Sequence, residues 1–127
     1  MEIKIIFKNE DILVVEKPFG IVTIPDRNYQ CGSLLENLLK TFPELKKVNE
    51  RAGILHRLDK DTSGLIVVAK DEVTHRKLSE QFFHHTIERE YNALVWGKLK
   101  KKKDEINKKI GRDKRDRKKF TVVDDED

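Results

Sequence analysis

The sequence predicts an α+β fold, a mixed and largely antiparallel sheet with flanking helices. Short apolar runs rich in Ile and Val recur at Ile3-Lys4-Ile5-Ile6-Phe7, Ile12-Leu13-Val14-Val15 and Leu65-Ile66-Val67-Val68, which is strand composition. Neighbouring runs are often joined by short turns, which suit antiparallel pairing. Strands and helices do not alternate regularly, which argues against a doubly wound parallel sheet. At 127 residues the default is one domain.

Each element follows from local chemistry. Asn9-Glu10-Asp11 is a turn signal between the first two strands. Lys17-Pro18-Phe19-Gly20 breaks the second, and Ile21-Val22-Thr23-Ile24, closed by Pro25, reads as a short third strand. Ser33 with Glu36 makes a capping box, and Leu34, Leu35, Leu38 and Leu39 give helical spacing up to Pro43. Glu44 to Gly53 is polar and reads as a loop. Leu65 to Lys70 is a buried strand. Asp71 then caps a helix expected to turn Val73, Leu78, Phe82 and Phe83 inward. Ile87 to Gly97 alternates, with Tyr91, Ala93 and Val95 on one face, and reads as a further strand. Beyond Lys98 only Ile106, Ile110, Phe120, Val122 and Val123 could anchor the chain. Asp124-Asp125-Glu126-Asp127 is an acidic end without strand or helix signal.

Charge is unevenly distributed. Residues 98 to 119 hold 13 Lys/Arg and 4 Asp/Glu, a net +9, so the rest of this +4 chain sums to −5. A basic segment on a mildly acidic body points to a polyanionic partner, RNA or DNA first; the plainer reading is a solvated charged face. Cys31 stands alone, without a disulfide partner or the companions of a zinc site. That fits a reducing compartment. No apolar run is long enough to span a membrane, and Met1 to Lys8 lacks a signal-peptide pattern. The expected setting is cytoplasmic and membrane-free. His75, His84 and His85 do not make a metal site, because adjacent histidines on a helix point apart and no carboxylate or cysteine completes a known spacing.

The chemically richest stretch is His56-Arg57-Leu58-Asp59-Lys60-Asp61-Thr62-Ser63-Gly64, followed by the apolar run from Leu65. By composition alone it is a turn, in which Asp and Ser oxygens accept backbone N–H groups and Gly64 takes positive φ. Its position beside a rigid strand is also where a reactive side chain is best held. The order of its pieces resembles the active-site signature of the RluA-type pseudouridine synthases: His-Arg-Leu-Asp, two variable residues, then Thr-Ser-Gly-Leu. The resemblance extends to Leu13-Val14-Val15-Glu16-Lys17-Pro18-Phe19-Gly20-Ile21, to Arg89-Glu90-Tyr91-Asn92-Ala93-Leu94-Val95-Trp96-Gly97 and to Ile110-Gly111-Arg112-Asp113. Arg89 stands where family members usually carry lysine. A sister group usually has Gly where this chain has His56, and often Glu at Ser63.

The resemblance implies an isomerase of uridines in structured RNA, ribosomal or transfer, with no metal or organic cofactor. It makes Asp59 the catalytic carboxylate and sets Tyr91 against the target base. It gives Arg57 to the flipped nucleotide and assigns RNA contacts to His56, Thr62, Ser63 and Arg112. Without the family, Tyr91 would be a core strand tyrosine, Arg57 a surface ion pair with Asp61, and His56 a structural histidine.

Family members also carry a later Gly-Arg-Thr-His-like motif whose arginine pairs with the aspartate. Its absence here leads to the expectation that residues 1–127 are the N-terminal portion of a single catalytic domain, with 98–119 a basic segment and the remainder missing. The complete protein is expected to be a monomer. Two rivals remain open: a noncatalytic RNA-binding module on the same scaffold, and a nucleoside hydrolase or glycosidase, which would ordinarily need a second carboxylate or a metal.

Overall fold

The computed structural model describes residues 1–123, so the acidic end at 124–127 lies outside the described residues. The chain forms two compact units, Met1–Glu90 and Tyr91–Asp127.

The first unit is built on a three-stranded antiparallel sheet, β1 (Lys4–Lys8), β2 (Ile12–Lys17) and β3 (Gly64–Ala69), in that spatial order. The Asn9 carboxamide oxygen accepts the N–H groups of Asp11 and Ile12, which closes the β1–β2 turn that the sequence signals. A register shift between Ile5 and Phe7 bulges β1. In β2 every second residue is buried, namely Leu13, Val15 and Lys17. Opposite them on β3 stand Val68, Ile66 and Gly64. One face of β2 and β3 is therefore committed to the core by strand periodicity, while β1 is exposed along its length.

Helix α1 (Leu34–Thr41) covers the core with Leu34 and Leu38. It starts at the expected capping box: Ser33 Oγ accepts from Glu36 N, and the Glu36 carboxylate accepts from Ser33 N. The segment read as a loop, Glu44 to Gly53, is a run of tight turns. It begins as a 3-10 turn over Pro43–Lys47 and buries Leu45, Val48 and Ala52 against the same core. Helix α2 (Glu72–Phe83) is capped by Asp71, whose carboxylate accepts from Thr74 N at 2.8 Å.

Three expectations are corrected. Ile21 to Ile24 is not a strand: the Val22 and Thr23 carbonyls accept instead from Leu34 N and Leu35 N, the first turn of α1. Of the four α2 residues expected to turn inward, Leu78 and Phe82 are half-buried, while Val73 and Phe83 are exposed. Leu78 and Phe82 are one turn apart, whereas Val73 and Phe83 each lie five residues from Leu78, well off that stripe. Ile87 to Gly97 is irregular, and Leu94 and Trp96 are fully exposed. Alternation makes a segment competent to be a strand, but a strand exists only by pairing, and among the described residues nothing pairs with this one.

In the second unit a hairpin of β4 (Ile110–Arg112) and β5 (Phe120–Val122) carries six of the 13 Lys/Arg of the basic segment. Its turn is tied by Asp113, whose carboxylate accepts from Arg115 N and Asp116 N and is held below the usual carboxylate range by those two bonds. Gly111 leaves room for Val123, whose Cγ1 would lie 3.0 Å from any Cβ placed there. Among the described residues no helix is long and apolar enough to cross a membrane.

Candidate active site

Residues 54–63 connect the turns after α1 to β3, and they carry five of the candidate residues. The segment first runs beside β3. Ala69 N donates to Gly53 O at 2.9 Å, and Ile54 bridges to Val68. His56 then takes the place of a backbone acceptor, its Nε2 accepting from Val67 N at 2.9 Å. The ring stacks on Phe82 of α2 with centroids 4.9 Å apart.

Burial, and secondarily the charge of Arg89, hold the His56 pKa below the ordinary histidine value. The accepting Nε2 requires the neutral ring, with any ring proton on Nδ1. The unfolded chain takes up a proton near its ordinary value, while the native state resists until the pH is lower. The stability contributed by neutral His56 is therefore complete above that ordinary value and lost as pH falls through the native one. Thermal midpoints should fall between pH 7.5 and 5.0, and His56→Gln should fall less across the same window. Parallel curves would assign the loss to another group.

Leu58 turns inward to the core, and Asp59 turns outward. Thr62 N donates to Asp59 O at 3.1 Å, closing the turn the composition predicts. Gly64 enters β3 at φ +146, with the Leu58 Cδ1 methyl 3.4 Å from where a Cβ would stand.

Both neighbours of Asp59 are fixed from elsewhere in the unit. Thr23 Oγ1 donates to Leu58 O at 2.8 Å and accepts from Leu58 N at 3.2 Å. Lys60 O accepts from Gly20 N at 2.9 Å and from Lys17 Nζ at 3.0 Å. Lys17 is fully buried, and its ammonium also donates to Pro18 O at 3.0 Å and Ile21 O at 2.7 Å. Burial holds its pKa below the ordinary lysine value, against the pull of Asp61 and, more weakly, Asp59.

Among the described residues the Asp59 carboxylate accepts no hydrogen bond, and exposed Arg57 makes no ion pair, with Asp61 or any other. Thr62 is half-buried and Ser63 exposed on the same turn. The structure thus places His56, Arg57, Asp59, Thr62 and Ser63 on one anchored stretch of the first unit. Tyr91 and Arg112 belong to the second unit. Tyr91 is exposed on the irregular segment, and the Arg112 guanidinium lies over the Phe120 ring at 4.3 Å, with Nη1 donating to Arg117 O at 2.9 Å.

Sequence reasoning overlooked Lys17 and Thr23 as supports. Lys17 had a signal, because it stands in phase with Leu13 and Val15 on the buried face of β2. Thr23 had none, since its partner lies 35 residues away.

Comparison with known proteins bears on this arrangement. The family described as RNA pseudouridylate synthase matches residues 11–127. The chain is 40% identical over 127 residues to a Bacillus subtilis protein named uncharacterized RNA pseudouridine synthase YlyB, covering 98% of this chain and 42% of that protein. It is 44% identical over 122 residues to an uncharacterized RNA pseudouridine synthase of Aquifex aeolicus, covering 94% of this chain and 39% of that one. It is also 44% identical over 124 residues to the ribosomal large subunit pseudouridine synthase D of Pseudomonas aeruginosa, with 98% of this chain and 38% of the relative covered. The chain spans about two fifths of the length of these curated relatives. From the motif order, the antiparallel scaffold and a match that runs through nearly every residue, the chain belongs to the RNA pseudouridylate synthase family.

Proposed function

We propose that the protein converts selected uridines in structured RNA, ribosomal or transfer, to pseudouridine in the cytoplasm, with Asp59 as the reacting carboxylate. The observation that carries this reading is the state of Asp59. Its backbone is anchored on both sides, while its carboxylate is exposed and accepts no hydrogen bond among the described residues. A reactive group needs that combination of fixed aim and free chemistry.

The isomerisation breaks the N1–C1′ bond, turns the uracil and joins C5 to C1′. The C5 proton is lost and N1 gains one, so nothing is oxidised and no redox partner is required. The ribose becomes electron-poor at C1′ on the way. Asp59 could attack C1′, stabilise the developing positive charge, or remove the C2′ proton. Water must be kept from C1′, because hydrolysis would leave an abasic site.

The other residues divide the remaining work. Tyr91 stacks on the uracil and offers its hydroxyl toward the C5 proton. Arg57, exposed and without an ion pair among the described residues, holds the extruded nucleotide or fills its place. His56 orients the segment through Val67, and Thr62 and Ser63 meet RNA from the same turn. Arg112 and the basic hairpin meet the RNA backbone.

The test is product analysis with the protein at its full natural length. RNA carrying tritium at uridine C5 should release tritium and yield pseudouridine on digestion. Free uracil would identify a hydrolase instead, and binding without chemistry would identify a noncatalytic module.

The basic segment makes a separate prediction. Lys100, Lys101, Lys102 and Lys103 are all exposed. Replacing the four with Ser should reduce the steepness of log affinity against log salt by about 3 to 4 if each meets one phosphate, since each neutralised phosphate contributes a slope of about 0.7 to 0.9. An unchanged slope, measured by RNA titration across a salt series, would mean that these lysines do not meet phosphate.

A further inference from the structure

We propose that Thr23 is a positioning residue for the Asp59 carboxylate, and this rests on the reading of Asp59 given above. Thr23 is 1% exposed, and its hydroxyl makes two hydrogen bonds, both to Leu58, the residue before Asp59. One oxygen donates to the Leu58 carbonyl and accepts the Leu58 N–H, so a single side-chain atom satisfies the whole peptide polarity of that residue. Leu58 has no other backbone partner among the described residues.

Thr23 is itself immobilised. Its carbonyl accepts from Leu35 N at 3.0 Å, and the preceding Val22 carbonyl accepts from Leu34 N at 2.9 Å. Those donors open α1, whose Leu34 and Leu38 are fully buried. A continuous path therefore runs from the packed helix through Thr23 to Leu58. The Asp59 carboxylate accepts no hydrogen bond among the described residues, so its aim is inherited from the backbone on either side. Lys60 is held from the other flank by Gly20 and Lys17. Thr23 is the informative half of this pair of clamps. Removing Lys17 would strip a buried charge and three carbonyl partners at once, whereas Thr23→Val removes one hydroxyl at nearly constant volume.

A shift of the reacting oxygen by about 1 Å costs on the order of 10²-fold in rate. In the protein at full natural length, Thr23→Val should lower the single-turnover rate at saturating enzyme by roughly 10- to 100-fold. Its affinity for RNA should stay unchanged, and circular dichroism should show it fully folded at the assay temperature. Thr23→Ser restores the hydroxyl and should recover most of the rate, which a purely volumetric role for Thr23 would not produce. A wild-type rate in Thr23→Val overturns the proposal. So does a defect confined to RNA affinity, or a Thr23→Ser variant as slow as Thr23→Val. If Thr23→Val does not fold, Thr23→Cys takes its place, since a thiol is a much weaker hydrogen-bonding group: a slowed folded enzyme supports the proposal and an unslowed one overturns it. Failure of the underlying reading looks different, because Asp59→Asn would then retain activity whatever Thr23 does.

Discussion

Asp59→Asn should abolish pseudouridine formation, lowering the single-turnover rate by about 10³-fold or more, while RNA affinity and thermal stability stay close to wild type. The amide is nearly isosteric with the carboxylate, but it is a poor nucleophile, a poor base and uncharged. The structure makes the substitution unusually clean. The Asp59 side chain is exposed and makes no hydrogen bond among the described residues, and the turn is closed by its carbonyl, which asparagine keeps. The folding cost should therefore lie within about 0.5 kcal/mol, as for surface positions without special partners. An interaction made only on the way to the transition state lowers the maximal rate and leaves binding alone. Tritium release from C5-labelled uridine RNA at the wild-type rate would remove Asp59 from its role.

The separation between support and chemistry also explains what the sequence could reveal. Local signals were legible wherever the responsible partner lies within a few residues. Ser33 and Glu36 cap α1 as spaced, Asp71 caps α2, and Asn9 closes the first hairpin. The apolar runs of β1, β2 and β3 were legible because they pair with one another inside the first unit. Where the outcome depends on a distant partner, pattern alone misled. Ile21 to Ile24 has strand composition, but its carbonyls are taken by the start of α1. Tyr91, Ala93 and Val95 alternate correctly, yet no neighbour among the described residues supplies the ladder that would make them a strand. The β4–β5 hairpin was missed because its strands are only three residues long and sit among charges that mask the apolar signal.

The site divides in the same way. The order His56-Arg57-Leu58-Asp59 and Thr62-Ser63-Gly64 was visible in the chain, because the turn is continuous in sequence. The clamps were not, because Thr23 and Lys17 reach the turn across 35 and 43 residues. The roles are separable in physical terms. The residues visible in sequence present functional groups to solvent, and those hidden from it hold backbone carbonyls in place. His56 bridges the two classes: it belongs to the visible motif, but its ring nitrogen is committed to Val67.

Gly53→Ala should destabilise the first unit by about 2–4 kcal/mol, a large loss for one methyl group. Gly53 has φ +76, in the left-handed region that glycine occupies without a Cβ penalty. A Cβ at that position would collide with the Ala69 carbonyl oxygen, which is backbone and cannot rotate aside. Nor can Gly53 move away easily. Its N–H donates to Asn49 Oδ1 at 3.0 Å, and its carbonyl accepts from Ala69 N at 2.9 Å. The preceding Ala52 is fully buried and already carries a left-handed φ of 50. The collision must therefore be relieved by separating residues 53–54 from the end of β3, loosening the Ile54–Val68 bridge and the contact of His56 with Val67. Gly32 is the control. Its φ is +74, but a Cβ there would meet nothing within 4 Å, so Gly32→Ala bears the backbone cost alone, about 1 kcal/mol. Urea unfolding of the two variants should differ by the cost of the Ala69 contact. Equal losses would show that β3 yields to the methyl group, and that the anchored path from Gly53 to Asp59 is softer than its hydrogen bonds imply.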